Sequence, residues 1–400
     1  MSQTHAMSDQ ISTFSSAPIS TDKYTSKSQL ETEAYSSYRS SSDANSQLDF
    51  PNLQNPNPVF TSAAIISDFN GDGKNDKFWR NSQTGENAIW LMDGTNVASA
   101  DFVKTMGTEW DVKIGDFNGD DKTDLLWFNK ATGENQIWLM DGTAVVSEAS
   151  LATLSPDWTP VIADFNGDRK TDIFWRNTTT GENAAWLMDS TQVTTPSFLQ
   201  TVDTNWTANI VDLNSDGKTD IFWRNKATGE NAVWTMDGTN ATGASLPTLG
   251  TEWEATLGDF DLNYQTDILW RNTATGENKV WLMNGTTVAA DAALPTLAGS
   301  SWKPLIGDFD GNGKTDILWY NQETGKNQIW IMDGSNVLTT VAADAPSGAW
   351  VPSISDTNGD GRTDIFWRNY ETGENAVVVV TGTDSTPTAL PTLGKEWYTF

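Results

Sequence analysis

The chain contains no cysteine and a single histidine, His5, among its 400 residues. Disulfide frameworks, thiolate nucleophiles, thiolate-bound metals and histidine-ligated zinc are thereby excluded, as is acid–base chemistry built on imidazole. Basic residues are scarce: 24 lysines and arginines face 53 aspartates and glutamates, a formal charge of −29. A nucleic-acid partner is disfavoured, because phosphate binding needs a basic face. No apolar run approaches the roughly 18 residues of a membrane helix, so membrane insertion is not expected. The N-terminus MSQTHAMSDQISTFSSAPIS lacks both a basic n-region and an apolar h-region, and no signal peptide is evident.

What the chain has in abundance is one acidic pattern. Asp-x-Asn/Asp-x-Asp/Asn-x-x-x-Asp begins at Asp68, Asp116, Asp164, Asp212, Asp259, Asp308 and Asp356, with spacings of 48, 48, 48, 47, 49 and 48 residues. A period this strict reads as one repeat array rather than several ordinary domains. Residues 1–55 are different material: rich in Ser, Thr, Gln and Asn, without tryptophan. They read as a disordered leader or tether, and residues 56–400 as the array.

Each repeat follows one script. In the second, Trp110 opens the run Val112-Lys113-Ile114-Gly115, and the acidic loop Asp116–Asp124 follows. Leu125-Leu126-Trp127-Phe128-Asn129, a turn at Thr132-Gly133-Glu134, Asn135-Gln136-Ile137-Trp138-Leu139-Met140 and a second turn at Asp141-Gly142 come next. Short apolar and aromatic runs punctuated by Gly, Asp and Asn read as strands. Four strands per 48 residues is the spacing of a propeller blade. The fold class expected is therefore all-β: a seven-bladed β-propeller with four antiparallel strands per blade.

The 20 tryptophans test that alignment, since all fall on three repeat positions. One set follows the acidic loop: Trp79, Trp127, Trp175, Trp223, Trp270, Trp319 and Trp367. A second comprises Trp90, Trp138, Trp186, Trp234, Trp281 and Trp330, with Val378 in the seventh copy. The third stands six residues before a loop, at Trp110, Trp158, Trp206, Trp253, Trp302 and Trp350. Before the first loop that place is Ser62, and the missing indole stands at the other end of the chain as Trp397. The C-terminal segment is therefore expected to dock beside the first repeat and close the ring, hiding otherwise exposed strand edges.

The ligand positions of the loops hold 21 of the acidic residues in seven clusters, three per loop. Calcium takes six to eight hard oxygen ligands, and carboxylates two or four residues apart can aim several at one centre. The candidate ligands are Asp68, Asn70, Asp72 and Asp76; Asp116, Asn118, Asp120 and Asp124; Asp164, Asn166, Asp168 and Asp172; and Asp212, Asn214, Asp216 and Asp220. Further along they are Asp259, Asp261, Asn263 and Asp267; Asp308, Asp310, Asn312 and Asp316; and Asp356, Asn358, Asp360 and Asp364. One calcium per blade, up to seven, would bring the net charge to about −15. The competing reading, an acidic Asx turn, leaves clustered carboxylates to repel one another. The pattern is not an EF-hand, whose twelfth position is a bidentate Glu; here it is Trp79 or Trp127. The fifth loop, Asp-Leu-Asn-Tyr-Gln-Thr-Asp at its core, departs furthest from the glycine pattern and is the weakest candidate.

The stretch Gly-Asp-Phe-Asn-Gly-Asp-x-Lys-Thr-Asp over 115–124 resembles the FG-GAP/VCBS repeat, and the resemblance extends over 62–400. It implies a calcium loop joining the first and second strands of each blade. The family includes the propeller of integrin α subunits and calcium-containing seven-bladed lectins. An extracellular or cell-surface location, with glycans or cell-surface proteins as partners, follows from that resemblance alone.

Two further recurring groups have two readings each. Arg80, Arg176, Arg224, Arg271 and Arg368 are either a ring of ligand-binding groups or cross-hairpin partners of Glu86, Glu182, Glu230, Glu277 and Glu374; the structural pairing is favoured. The tryptophans are either wedges between blades or sugar-stacking platforms, with wedges favoured for most. Because every acidic cluster belongs to the repeat, no asymmetric catalytic constellation stands out. The function expected is a multivalent glycan-binding, lectin-like adhesion module. The alternatives are a protein-interaction scaffold and, as a minor one, a calcium-assisted lyase or hydrolase.

Overall fold

The computed structural model describes residues 67–321, 323–343, 350–381 and 386–399. The expected leader at 1–55 and position 62 lie outside the described residues. Within them, 28 strands form seven four-stranded antiparallel sheets, and none of the described residues is helical. In the second blade the order is Trp110–Gly115, Asp124–Asn129, Asn135–Asp141 and Ala144–Leu151, all neighbours in sequence.

Local chemistry sets each boundary. The Asn129 amide oxygen accepts from the N–H groups of Ala131 (2.9 Å) and Thr132 (3.0 Å), an Asx turn that ends the second strand. Gly133 then takes φ 75°. A Cβ there would lie 1.7 Å from the Leu154 carbonyl oxygen, so only glycine fits where the connector to the third blade crosses.

The burial pattern orders the strands from centre to rim. Second strands such as Asp124–Asn129 are buried throughout, whereas fourth strands such as Ala144–Leu151 alternate between exposed and half-buried residues. First strands of neighbouring blades touch, Trp110–Gly115 against Trp158–Ala163 and the latter against Trp206–Val211. They line the centre, and the fourth strands form the rim.

The core lies between blades, which is why the middle strands are apolar on both faces. Phe78 and Ile89 of the first blade pack in one cluster with Ile114, Leu125, Trp127 and Trp138 of the second. Leu126 and Ile137, on the opposite face of the second blade, join Ile173, Trp175 and Trp186 of the third. Each indole so enclosed contributes about 4–6 kcal/mol of gross apolar burial.

The ring closes as the tryptophan count requires. Strand Trp397–Thr399 pairs antiparallel with Lys77–Asn81, with Trp397 opposite Asn81, as Trp110 is opposite Asn129 in the second blade. It occupies the first-strand place in the first blade. At this seam Lys77 replaces the Leu or Ile of the other repeats. Its ammonium lies 4.7 Å from the Phe366 ring centroid, and burial lowers its pKa to about 8.

Candidate metal centres and tryptophan grooves

In the second to seventh blades the acidic loop joins a first strand to a second, with its last aspartate opening that second strand; in the first blade Asp76 directly precedes the strand Lys77–Asn81. The loop is wound around its own first aspartate. Asp68 accepts from Gly71 N–H (2.7 Å) through Oδ1 and from Gly73 N–H (2.7 Å) through Oδ2. Gly71 and Gly73 take φ of 75° and 80°, the left-handed conformation glycine supplies at least cost. Where glycine is missing the conformation persists: Asp121, Arg169, Ser215, Leu262 and Tyr264 all have φ between 63° and 66°.

The ninth-position carboxylate is the most enclosed. Asp76 Oδ1 accepts from Met92 N–H (2.9 Å) and Oδ2 from Phe69 N–H (2.8 Å). The corresponding bonds recur in all seven loops, ending with Asp364, which accepts from Val380 (3.0 Å) and Thr357 (2.9 Å). Burial pushes these carboxyls up, to about 7 for Asp76, Asp124, Asp172, Asp220 and Asp316, about 8 for Asp267 and about 6 for Asp364. Neighbouring carboxylates push in the same direction. Asp68, Asp116, Asp164, Asp308 and Asp356 are likewise raised by burial. Asp212 and Asp259 reach about 6. Two buried carboxylates side by side, with hard oxygen donors and no soft ones, are a site that fits a hard divalent cation.

Side-chain placement divides the loops. In the fifth, carboxylate oxygens of Asp259, Asp261 and Asp267 lie within 4.8 Å of one another, and in the sixth those of Asp308, Asp310 and Asp316 do the same. Both have aspartate at the third position. The other five place an asparagine there, Asn70, Asn118, Asn166, Asn214 and Asn358, whose Nδ2 donates to the fifth-position carboxylate of Asp72, Asp120, Asp168, Asp216 or Asp360. Those fifth-position carboxylates, and Asn263 and Asn312 in their stead, are exposed at the loop tip. The fifth loop, expected to be the weakest candidate, nevertheless groups three carboxylates. Its lost glycines do not prevent the turn, and its third-position aspartate brings three carboxylates together.

The loops are also tied to one another. Backbone N–H groups of Thr123, Thr171, Thr219, Thr315 and Thr363 donate to the carbonyls of Asp68, Asp116, Asp164, Asp259 and Asp308 in the preceding loop, at 2.7–2.8 Å. Thr266 Oγ1 makes the link to Asp212 O at 2.7 Å, and Asn75 N–H closes the circle on Asp356 O at 2.7 Å.

The repeating arginines do not pair with the glutamates. Arg80 donates to the carbonyls of Gly85 (3.2 Å), Gly107 (2.6 Å) and Trp110 (2.8 Å) and to Asn87 Oδ1 (2.9 Å). Its guanidinium lies 5.0 Å from the Trp127 ring centroid in the next blade. Arg176, Arg224, Arg271 and Arg368 repeat the stack on Trp223, Trp270, Trp319 and Trp79. The glutamates stand at the surface and accept from a threonine two residues back, as Glu86 does from Thr84 (2.8 Å). The groups are structural, as expected, with carbonyls and indoles as partners in place of carboxylates.

The three tryptophan sets separate by burial. All thirteen members of the first two are buried wedges, from Trp79 at 0% exposed to Trp234 at 8%. In the third set Trp110, Trp158, Trp206, Trp253, Trp302 and Trp350 are half-buried. Two of these are capped, Trp158 by Phe198 at 6.2 Å and Trp253 by the Lys279 ammonium at 5.4 Å, and the seventh member, Trp397, is buried with Phe102 at 6.0 Å. In the fourth, sixth and seventh blades the same cross-strand pair is Ala232 with Ser245, Gln328 with Ala342, and Ala376 with Ala389. These small or flexible residues leave the indole face accessible. Beside Trp302 this produces an open groove of about 540 Å³.

Seven blades, a C-terminal strand that closes the ring and an aspartate-lined loop leading into the second strand of each define an acidic-loop propeller. More particularly, the chain belongs to the FG-GAP-like repeat family, whose model matches residues 68–127, 116–175, 164–223, 212–270, 259–319 and 308–367. Among solved structures, it is similar to an Agrocybe aegerita lectin that specifically recognises non-reducing terminal N-acetylglucosamine. The TM-score is 0.68 at 14% identity, over 82% of this chain and 95% of the lectin. A Staphylococcus aureus virginiamycin B lyase in inactive form with quinupristin gives a TM-score of 0.45 at 9% identity, over 70% of this chain and 85% of the lyase. Citrobacter koseri AztD gives 0.47 at 11% identity, over 80% and 95%. At such identities the likeness is one of fold. No curated protein sequence matches the chain.

Proposed function

We propose that this protein is a calcium-binding, non-enzymatic propeller that binds glycans at several tryptophan-floored grooves, in an extracellular or cell-surface setting. The observation that carries the reading is the split among indoles: thirteen are buried wedges, while the third set keeps half-buried rings, some beside small residues. An indole face bordered by polar groups matches the apolar face of a pyranose. Several weak sites on one rigid ring give avidity without any single strong contact. The fold shared with the Agrocybe aegerita lectin, whose ligand is a sugar, agrees with it.

In this reading the first-, third- and ninth-position oxygens of each loop, Asp308, Asp310 and Asp316 for instance, hold the calcium ion. The ion's contribution is to neutralise carboxylates that burial otherwise pushes toward protonation. The loops then keep their shape at neutral pH and hold adjacent strands in place, while the grooves on the blade faces meet the ligand. Catalysis is not part of the reading, because every acidic cluster is a copy of the same loop.

A glycan array probed with and without EDTA tests it: sugar-selective signal on several structures is expected, weakened by chelation. Silence on the array, with a protein partner recovered instead, supports the scaffold reading. That second reading has its own observation in the exposed rim residues Phe198 (75%), Leu338 (61%) and Val146 (60%).

A further inference from the structure

The seven blades are not chemically alike. At the turn between second and third strands six blades carry glutamate, namely Glu86, Glu134, Glu182, Glu230, Glu277 and Glu374. The sixth blade carries Lys326 there, and at the arginine position it carries Tyr320. Its neighbour Asn327 is half-buried, where its counterparts Asn87, Asn183, Asn231, Asn278 and Asn375 are buried and accept from the arginine. In the second blade, where Phe128 takes the arginine's place, Asn135 nevertheless stays buried, so the half-exposure at Asn327 is particular to the sixth-blade turn.

The groove is lined by Leu297, Trp302, Lys326, Gln328 and Ala342 among others. Leu297 and the half-buried Trp302 form an apolar wall. Gln328 offers amide donors and an acceptor, and the exposed Lys326 places an ammonium at the rim. Among the described residues no carboxylate pairs with that ammonium. The chain as a whole carries −29 and repels anions, and the other six blades carry a carboxylate at the corresponding turn. A cation at one rim alone reverses the local preference.

We propose that the sixth-blade groove takes a saccharide bearing a carboxylate, of the uronic-acid type. Its ring stacks on Trp302, its carboxylate pairs with Lys326, and its hydroxyls bond to Gln328. The proposal rests on the reading of the tryptophan grooves as sugar sites and adds to it a ligand class for one of them. The other grooves, with glutamate rims, are left to neutral sugars. An acidic peptide segment offers the same charge without a ring to stack, and it enters as an outcome of the test.

The test uses the full chain with calcium, titrated by calorimetry and saturation-transfer NMR with methyl glucuronide and methyl glucoside. The wild type is expected to bind the glucuronide, with binding weakened by added salt. Lys326→Glu is expected to weaken glucuronide binding about tenfold and leave the glucoside unchanged, since it converts an exposed attractive pair into a repulsive one. Trp302→Ala is expected to remove saturation transfer from the sixth-blade site. The reciprocal Glu230→Lys, beside the uncapped Trp206, is expected to gain glucuronide binding. If Lys326→Glu leaves the glucuronide affinity unchanged while glucoside still binds, the inference fails and the sugar-binding reading stands. If the wild type binds neither sugar, both fail. If an acidic peptide binds through Lys326 and the glucuronide does not, the saccharide assignment is overturned.

Discussion

The guanidinium of Arg368 lies 5.1 Å from the ring centroid of Trp79, joining the seventh blade to the first. It donates to the carbonyls of Gly394 (2.6 Å) and Trp397 (2.9 Å), so one side chain fastens both the indole and the returning C-terminal strand. Replacing it leaves buried carbonyls without donors. Arg368→Met is expected to lower stability by about 3 kcal/mol, measured by chemical denaturation. Glu374→Gln, on the exposed side of the same turn, is expected to change it by under about 0.5 kcal/mol. Equal effects would restore the discarded arginine–glutamate pairing.

Trp397 is 7% exposed whereas Trp350, its counterpart in the seventh blade, is half-buried. Trp397→Ala is expected to cost about 3–4 kcal/mol and Trp350→Ala clearly less, read as thermal midpoints. A smaller loss at Trp397 would mean the closing strand is dispensable.

The ninth-position carboxyls predict a pH response with a definite sign. Folding raises Asp76, Asp124, Asp172, Asp220 and Asp316 to about 7, above the ordinary carboxylate range near 4. In calcium-free protein their contribution is complete below about pH 4 and is lost as the pH climbs through about 7. The melting temperature of chelated protein should therefore fall between pH 5 and 7.5, and millimolar calcium should flatten that slope. A chelated protein growing more stable toward pH 7.5 would contradict the burial of these groups.

Convergence of three carboxylates in the fifth and sixth loops sets them apart from the others. Calcium calorimetry is expected to find five to seven ions, the two tightest weakened separately to the level of the other sites in Asp261→Asn and Asp310→Asn. If both variants retain the full set of affinities, the third position does not rank the sites.

Tyr264 and Leu262 hold φ of 65° and 64°, where side chains bear a steric penalty. Replacing either with glycine is expected to raise stability by about 1 kcal/mol, checked by denaturant midpoint at saturating calcium.

Much of this was legible beforehand because the physics repeats. Seven loops at one spacing implied the blades, and the displaced indole at Trp397 implied closure. The arginine partners were hidden because they are backbone carbonyls on a connector, Gly107 and Trp110 for Arg80, which carry no side-chain signature. The turn of the fifth loop was hard to foresee because its glycines are missing, yet Leu262 and Tyr264 take the left-handed conformation in their place. Which grooves are capped depends on register across four strands. Phe102 reaches Trp397 from the far end of the sequence, and only the assembled sheet brings them within 6.0 Å.

The carbonyl of each loop's first aspartate accepts from the loop of the next blade, and the last accepts from the first, so the girdle has no loose end. Repeat arrays with free termini can fray one unit at a time. Here a blade can leave only by breaking links on both its flanks at once. Melting should consequently be a single concerted transition, with calorimetric and van't Hoff enthalpies in agreement despite the modular sequence.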